Sequence, residues 1–495
     1  MSLVDADRLP DGDVIRGDVC IVGGGPAGIT LARSLDHNGL RIVLLEDGGE
    51  AFQREIQDLY IGENAGEPYF PLDVTRLRLL GGSTNHWEGY IRALDPPDFE
   101  VPLVGSMGAW PFGFAELEDH YVTACQLCEV DDSLDFSGET WAGRAGATLL
   151  PTDPDVMSTE VLLRSPPTRF GSRYRDDLIG SDDITLYLNA NVVELVEEER
   201  RISRVRIAHL EGASQTVEAQ VFVLATGGIE VPRLLLASEG AGGPGIGNQH
   251  DLVGRFFMEH PHFGGIQLVC EDADGLPFYN AEPQVQGQVI HAIMTIPPEL
   301  RQALGIGNVA ASFMEPGPIA RGALADDPLT GSVRSLLRDA TGQESPAHLR
   351  VQLMAEQVPN ALSRIRLSTQ RDALGLPRCI LDWRLHASDH HTLRAATEVV
   401  AGQLALAGVG RVSSAAHGGN MAYSYAGGHH HMGTTRMHDD PARGVVDATG
   451  RVHGVDNLYV SSSATFPTGG FANPTLTVVA MALRLATHLT EQGVR

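Results

Sequence analysis

Residues 18–46 constrain this chain more than any other stretch. Asp18 to Val22 (DVCIV) is a short apolar run of the kind buried in parallel sheets. It leads into Gly23-Gly24-Gly25-Pro26-Ala27-Gly28 and then ITLARSL, whose apolar residues recur at helical spacing. A second apolar run, Arg41 to Leu45, ends in Glu46. Strand, G-x-G-x-x-G, helix, strand and acid within about 30 residues is the layout of a dinucleotide-binding βαβ unit. Gly23 permits the tight turn, Gly25 lets the backbone approach a diphosphate, and Gly28 lets the helix pack against the strand. The diphosphate belongs at the positive helix N-terminus, and Glu46 stands where a ribose hydroxyl finds its acceptor. A glycine-rich turn without a ligand explains the six residues alone, but not the second strand and its acid. The motif leaves NAD and FAD open; its place near the N-terminus favours a leading flavin domain.

The chain has 495 residues and is 43% hydrophobic, enough for a large core and two or three domains. A net charge of -27 repels phosphate backbones and anionic membranes, so nucleic acid is not an expected partner. Glu197-Glu198-Glu199 reads as a solvated face. Five cysteines, at 20, 125, 128, 270 and 379, are too few and too scattered for a disulfide framework. Cys125 and Cys128 form an isolated CxxC whose flanks (YVTACQLCEV) read as an ordinary helix. The start (MSLVDADRLPDGD) carries no export signal, and no run of about 18 apolar residues suggests a membrane span. A cytoplasmic location is the expectation.

Further along, residues 79–90 (LLGGSTNHWEGY) read as a loop able to approach a flat ligand closely; a packed loop histidine is the plainer reading of His86. Residues 185–200 alternate like a strand pair, and Val221 to Leu224 followed by Ala225-Thr226-Gly227-Gly228 gives a second strand, close turn and helix. Residues 256–434 change character, with alternating segments (RIRLS, RCILDWRL) and proline-rich turns that predict a second domain built on an antiparallel sheet. The Gly/Pro/Asp-rich stretch at 316–331 reads equally as a lid or as plain surface. His260, His262, His386, His390 and His391 lack carboxylates at metal-ligand spacing and read as structural, and no metal site is expected.

The last 70 residues say most about chemistry. They hold His429-His430-His431-Met432-Gly433-Thr434-Thr435-Arg436, a strand at Asn457 to Val460, and FPTGGFANPTLT. Asn473 reads as an N-cap and Pro474 as the first helical residue of a largely apolar helix, whose positive end would stabilise a reduced ring system. With these motifs in view, the full chain, from VGGGPAGITLARSL to ANPTLTVVAMALRLA, resembles the glucose–methanol–choline (GMC) oxidoreductase family. Its HxxGTTR, ANPTLT and GGSTNHW segments look most like the pyranose oxidase and sugar or glycoside branch. The resemblance implies an α/β (α+β) architecture with a Rossmann-like FAD-binding domain at 14–90, 185–258 and 435–495. A discontinuous substrate domain on an antiparallel sheet would occupy 91–184 and 259–434. FAD contacts would fall on Gly23, Gly25, Gly28, Glu46, Gly82, Asn85, His86, Val193, Ala225 and Thr475. In several relatives the histidine matching His86 is bonded covalently to the flavin, which makes His86 a candidate for that link. The catalytic pair would be His430 and Asn473. Ser461 and Ser462 depart from the Asp or Gly of many relatives, and no role is carried onto them.

The expected reaction is hydride transfer from a secondary alcohol of a sugar or glycoside to flavin N5, giving a keto sugar. His430 accepts the hydroxyl proton, Asn473 orients the oxygen, and oxygen, a quinone or another acceptor takes the electrons. A non-sugar alcohol, a flavin-containing hydroxynitrile-type lyase and a non-catalytic flavin subunit are the alternatives.

Overall fold

The computed structural model describes residues 3–100, 109–240, 245–270, 276–314, 347–414 and 427–493. The stretch at 316–331 therefore lies outside the described residues.

The continuous apolar runs form the centre of the molecule. Val19–Val22, Ile42–Leu45 and Val221–Leu224 are buried at every position, as strands covered on both faces must be. They belong to a six-stranded, wholly parallel sheet in the order Leu3–Asp5, Ile184–Leu188, Ile42–Leu45, Val19–Val22, Val221–Leu224, Leu458–Val460. The helix Pro26–Leu35 connects the first two of its core strands, and the C-terminal helix Thr475–Glu491 packs against it. The two ends of the chain thus share one layer of helices.

A four-stranded sheet (Val14–Arg16, Ser214–Glu218, Arg201–Ala208, Asn191–Glu198) flanks this centre. The pairing expected within residues 185–200 does not occur. Ile184–Leu188 joins the parallel sheet while Asn191–Glu198 pairs with Arg201–Ala208. Asn189, in the left-handed region at φ 57°, turns the chain from one sheet into the other. Alternation in both segments was read correctly; alternation does not name the partner strand.

The second large layer is antiparallel. Its strands run in the order Arg411–Ser414, His262–Cys270, Ala347–Ala355, Val309–Met314, Gln288–Thr295, Ser158–Arg164, Tyr90–Ile91, with Gln284–Val285 paired beside Gln288–Thr295. The helix Ala387–Leu406 lies against it. The alternating segments RIRLS and RCILDWRL form the antiparallel pair Arg364–Arg371 and Pro377–Trp383, extended by Glu63–Gly66. Cys125 and Cys128 are buried free thiols at the end of the helix Glu118–Leu127. Burial pushes the Cys125 thiol up to about 12, which leaves it protonated and unreactive at neutral pH.

Candidate active site

The glycine turn is built by close approach. Gly23 sits at φ +110°, and a Cβ there would lie 2.7 Å from the Ala225 carbonyl oxygen. At Gly28 a Cβ would come within 1.9 Å of the Gly23 oxygen, so only glycine lets the helix begin so near the strand. Gly25 is different. A Cβ there would meet nothing within 4 Å, so this residue opens on free space at the N-terminus of the helix Pro26–Leu35. That is the room and the field a diphosphate needs. Gly82 closes the other side, its built Cβ 3.3 Å from Gly25 Cα, and Gly81 N–H donates to the Gly24 oxygen at 2.8 Å.

Glu46 is buried at the end of Ile42–Leu45 and accepts from Gly24 N–H and Gly48 N–H, both at 2.9 Å. Burial, reinforced by the adjacent Asp47, raises its pKa well above the usual carboxylate value. The glutamate therefore holds the glycine turn in shape, a task the sequence reading did not assign to it. Each carboxylate oxygen keeps a second lone-pair site for a ribose hydroxyl. Beside it a cleft is lined by Val22, Gly23, Leu45, Asn191, Val193 and Thr226, among others. Val193 is in its wall, while Ala225 packs its carbonyl against Gly23 without lining the cleft. Open space at Gly25, a buried acid at the strand end and this cleft form a cradle that fits the dinucleotide part of FAD. Asn85 spends its amide on the carbonyls of Leu80 (3.0 Å) and Gly82 (2.9 Å), so it shapes the loop. His86 is exposed, and its pKa is lowered by partial burial and then by His429 and Arg169, which places it beside the histidine loop. Thr475 opens the C-terminal helix.

The second half of the site is made of side chains. Asn473 Nδ2 stands 3.1 Å from His430 Nε2. Asn473 does not cap the helix as the sequence suggested: the helix begins at Thr475 behind Pro474, with no side-chain cap, and the amide is turned toward His430. Asn473 Oδ1 is buried without a protein partner, an unmet acceptor inside the site.

An antiparallel bridge brings His260 into the same place. Met258 and Met432 exchange backbone hydrogen bonds at 2.9 and 3.0 Å. That register sets residue 259 opposite 431 and 260 opposite 430, and His260 Nδ1 lies 2.8 Å from His430 Nδ1. His262 lies one step further on, its ring centre 6.3 Å from that of His430. The reading of His260 and His262 as scattered structural histidines is thus corrected for these two. The signal was the run Met-Glu-His-Pro-His at 258–262, which carries no meaning until its partner strand is known.

Glu259 locks the arrangement. This fully buried carboxylate accepts at Oε1 from the backbone N–H of His260 (2.9 Å), Gly428 (3.1 Å) and His430 (2.8 Å). At Oε2 it accepts from Tyr69 Oη at 2.5 Å, and Tyr69 meets His431 Nε2 at 2.9 Å. Burial raises the Glu259 pKa to about 7, against the pull of these donors. His429 adopts φ 61°, a strained value for histidine, which turns the loop so that residue 430 enters the site. Burial first, then the neighbouring histidines, holds His430 well below its ordinary pKa, so its ring is neutral and keeps a lone pair. Among the described residues, the grouping with metal-ligand spacing is Asp36, His37 and Asp183 at the surface, and the triple histidine is not part of one.

Residues 359–482 match the family model described as GMC oxidoreductase, and residues 16–55 match one described as an FAD binding domain. The chain is 26% identical to the 6'''-hydroxyparomomycin C oxidase of Streptomyces lividus, over 95% of this chain and 92% of that protein. It is also 26% identical to the C-glycoside 3-oxidase of Microbacterium trichothecenolyticum, over 63% of this chain and 55% of the relative. In three dimensions it is similar to pyridoxine 4-oxidase from Mesorbium loti (19% identity, TM-score 0.59, 96% of this chain and 99% of that one). A formate oxidase is similar at 17% identity, with TM-score 0.61, over 98% of this chain and 99% of that one. At these identities the structural likeness establishes the fold.

Proposed function

The chain belongs to the GMC oxidoreductases and is an FAD-dependent oxidoreductase acting on alcohol groups, and from that premise we propose that it oxidises a secondary alcohol of a sugar or glycoside to a keto sugar. The observation that carries the reading is the neutral His430 beside Asn473, 3.1 Å apart in a walled site. The curated relatives named as oxidases of paromamine, of 6'''-hydroxyparomomycin C and of C-glycosides support a sugar-like substrate.

The nucleotide cradle would hold FAD, which when bound would supply a hydride acceptor able to pass electrons on to oxygen, a quinone or another acceptor. The residues do the rest. Gly25 leaves room for the diphosphate, Gly23, Gly28 and Gly82 hold the close-packed turn around it, and Glu46 offers free lone pairs to the ribose. Val193 walls the cleft and Ala225 backs the Gly23 turn, with Asn85 shaping the loop and Thr475 opening the helix Thr475–Glu491. His430 Nε2 removes the hydroxyl proton of the substrate as hydride leaves the carbinol carbon. Asn473 holds the same oxygen and fixes its direction. The N-terminal end of the helix Thr475–Glu491 adds positive potential where negative charge develops. His86, beside His429, is the candidate for a covalent link. The parallel and the large antiparallel sheet support assigning cofactor binding to 14–90, 185–258 and 435–495, and substrate binding to 91–184 and 259–434.

The test is anaerobic mixing of the holoprotein with free sugars, glycosides and simple alcohols while following the visible flavin absorption. Bleaching by a sugar or glycoside is expected, and readmitted air then separates an oxidase from a dehydrogenase. A flavin that dithionite bleaches but that no sugar or glycoside reduces would remove the sugar assignment.

A further inference from the structure

A guanidinium has donors only, and that fixes the direction of every hydrogen bond in series behind it. In the large antiparallel sheet His262 stands opposite Met354, and Gln352 and Arg350 follow at alternate positions on the same side of Ala347–Ala355. The register shifts between Phe263 and Ile266. At Gly264 a Cβ would lie 2.8 Å from Arg350 Cδ, so the arginine chain lies across this glycine. Arg350 Nη2 donates to Gln352 Oε1 at 3.3 Å, and Gln352 Nε2 stands 3.1 Å from His262 Nδ1. Because Arg350 cannot accept, the amide oxygen of Gln352 faces Arg350 and its NH2 faces His262. An amide NH2 only donates, so His262 Nδ1 is the acceptor. Burial brings the His262 pKa down to about 4, and the neutral ring carries a single proton. With Nδ1 accepting, that proton is on Nε2.

This Nε2–H is buried without a hydrogen-bond partner among the described residues. It is held close to the base. A Cβ on Gly428 would lie 3.1 Å from His262 Nε2 and 2.7 Å from His430 Cε1, so the two rings flank one glycine. Their centres are 6.3 Å apart, a separation that suits two oxygens on neighbouring carbons, one meeting each ring. Asn473 Oδ1, beside His430, is an acceptor equally unmet. A buried donor and a buried acceptor left open on either side of one imidazole are the mark of a polar ligand between them. The carboxylate of the site, Glu259, is already engaged by three backbone N–H groups and Tyr69.

We propose that His262 is a specificity-determining residue that donates Nε2–H to a hydroxyl oxygen on the substrate carbon next to the one oxidised, with Gln352 and Arg350 as positioning residues that keep the proton on that nitrogen. This rests on the reading of a sugar or glycoside as substrate, and it names the kind: one with a free hydroxyl, not an amine, at that neighbouring carbon. A hydroxyl oxygen accepts the proton. A hydrogen in its place leaves the donor unmet. An ammonium there offers three more donors and no acceptor, and brings a second positive charge toward Arg350.

The test uses the FAD-loaded protein with D-glucose, D-galactose, D-mannose and their methyl glycosides, each beside its monodeoxy and monoamino derivatives, and follows anaerobic flavin reduction. In the wild-type protein, derivatives changed at one carbon, adjacent to the carbon oxidised, are expected to lose about 10- to 100-fold in kcat/KM, the amino derivative at least as much as the deoxy one. His262→Leu should bring the parent sugar down to the level of its deoxy derivative and leave the deoxy derivative where it was. In ¹⁵N-histidine spectra of the wild-type holoprotein, with the His262 signals identified by their loss in His262→Leu, Nε2 is expected protonated and Nδ1 unprotonated. Gln352→Glu turns the neighbour of Nδ1 into an acceptor, so the proton should move to Nδ1, Nε2 should become an acceptor, and the amino derivative should gain on the parent sugar. A protonated Nδ1 in the wild-type protein, equal rates for parent and derivatives at every carbon, or equal losses for parent and deoxy sugar in His262→Leu overturns the proposal. The wild-type spectrum and the wild-type rates decide even if a variant fails to fold. A flavin that none of these sugars reduces strikes the sugar reading beneath it, and the nitrogen spectrum then judges the direction of the Arg350–Gln352–His262 chain separately.

Discussion

The two halves of the site are built in opposite ways. The nucleotide cradle is mostly backbone, and its central glycines, Gly23, Gly25 and Gly28, lie within a few residues of one another, with Gly82 closing them from outside the motif. The proposed catalytic half consists of side chains from Tyr69, Glu259–His262, His429–His431 and Asn473, which meet only after the sheets have formed. A backbone site tolerates almost any side chain but not a Cβ in the wrong place. A side-chain site tolerates changes in backbone composition but not the loss of one nitrogen. Substitutions should therefore separate binding from chemistry.

The largest expected effect is on chemistry alone. His430→Ala should slow anaerobic flavin reduction by roughly 100- to 10,000-fold, with flavin content per protein unchanged; wild-type reduction kinetics in stopped flow would break the division. Next comes the brace between the segments. Glu259→Ala leaves three backbone N–H donors and Tyr69 without their acceptor and should cost about 3 kcal/mol or more of stability, given what bonds to charged groups contribute, read as a lower urea midpoint.

The glycines sharpen the comparison within one motif. Gly28→Ala forces a contact at 1.9 Å from the Gly23 oxygen and should destabilise the apoprotein by about 1–3 kcal/mol. Gly25→Ala, with φ -82° and open space before it, should leave apoprotein melting within about 0.5 kcal/mol of wild type and weaken only FAD binding, measured by flavin titration. Equal effects in both assays would show that Gly25 is structural.

The smallest effect is in acid. Burial lowers the pKa of His262 from 6.5 to about 4. A depressed folded-state pKa means the unfolded chain binds the proton more readily, so this contribution is complete above about pH 6.5 and is lost as pH falls toward 4. His262→Asn should flatten the acid side of the stability profile over that window in urea titrations. The burial-raised Glu259 works in the opposite sense, its contribution being present below the ordinary carboxylate value and gone by about pH 7.

What the sequence made legible follows the same divide. Residues 18–46 declared strand, turn, helix and acid because every requirement there is local, and the apolar runs declared a buried parallel sheet. His430 and Asn473 became readable only through a family resemblance, since no periodicity links residues 43 positions apart. The place of His260 beside His430 stayed hidden because it comes from the Met258–Met432 register, which no single segment encodes. Asn473 carried a genuine N-cap preference, overridden because its amide meets His430. The run 185–200 was correctly seen as two strands but wrongly paired, because φ 57° at Asn189 sends them to different sheets.

The shared layer of helices also has a consequence for how the protein is made. The helix Pro26–Leu35 is translated long before one of its covering surfaces, Thr475–Glu491, and the edge strand Leu458–Val460 precedes that surface only slightly. Until that surface is made, the nascent chain carries an apolar helix with part of its cover missing. That apolar face stays open to misassociation until Thr475–Glu491 docks on it.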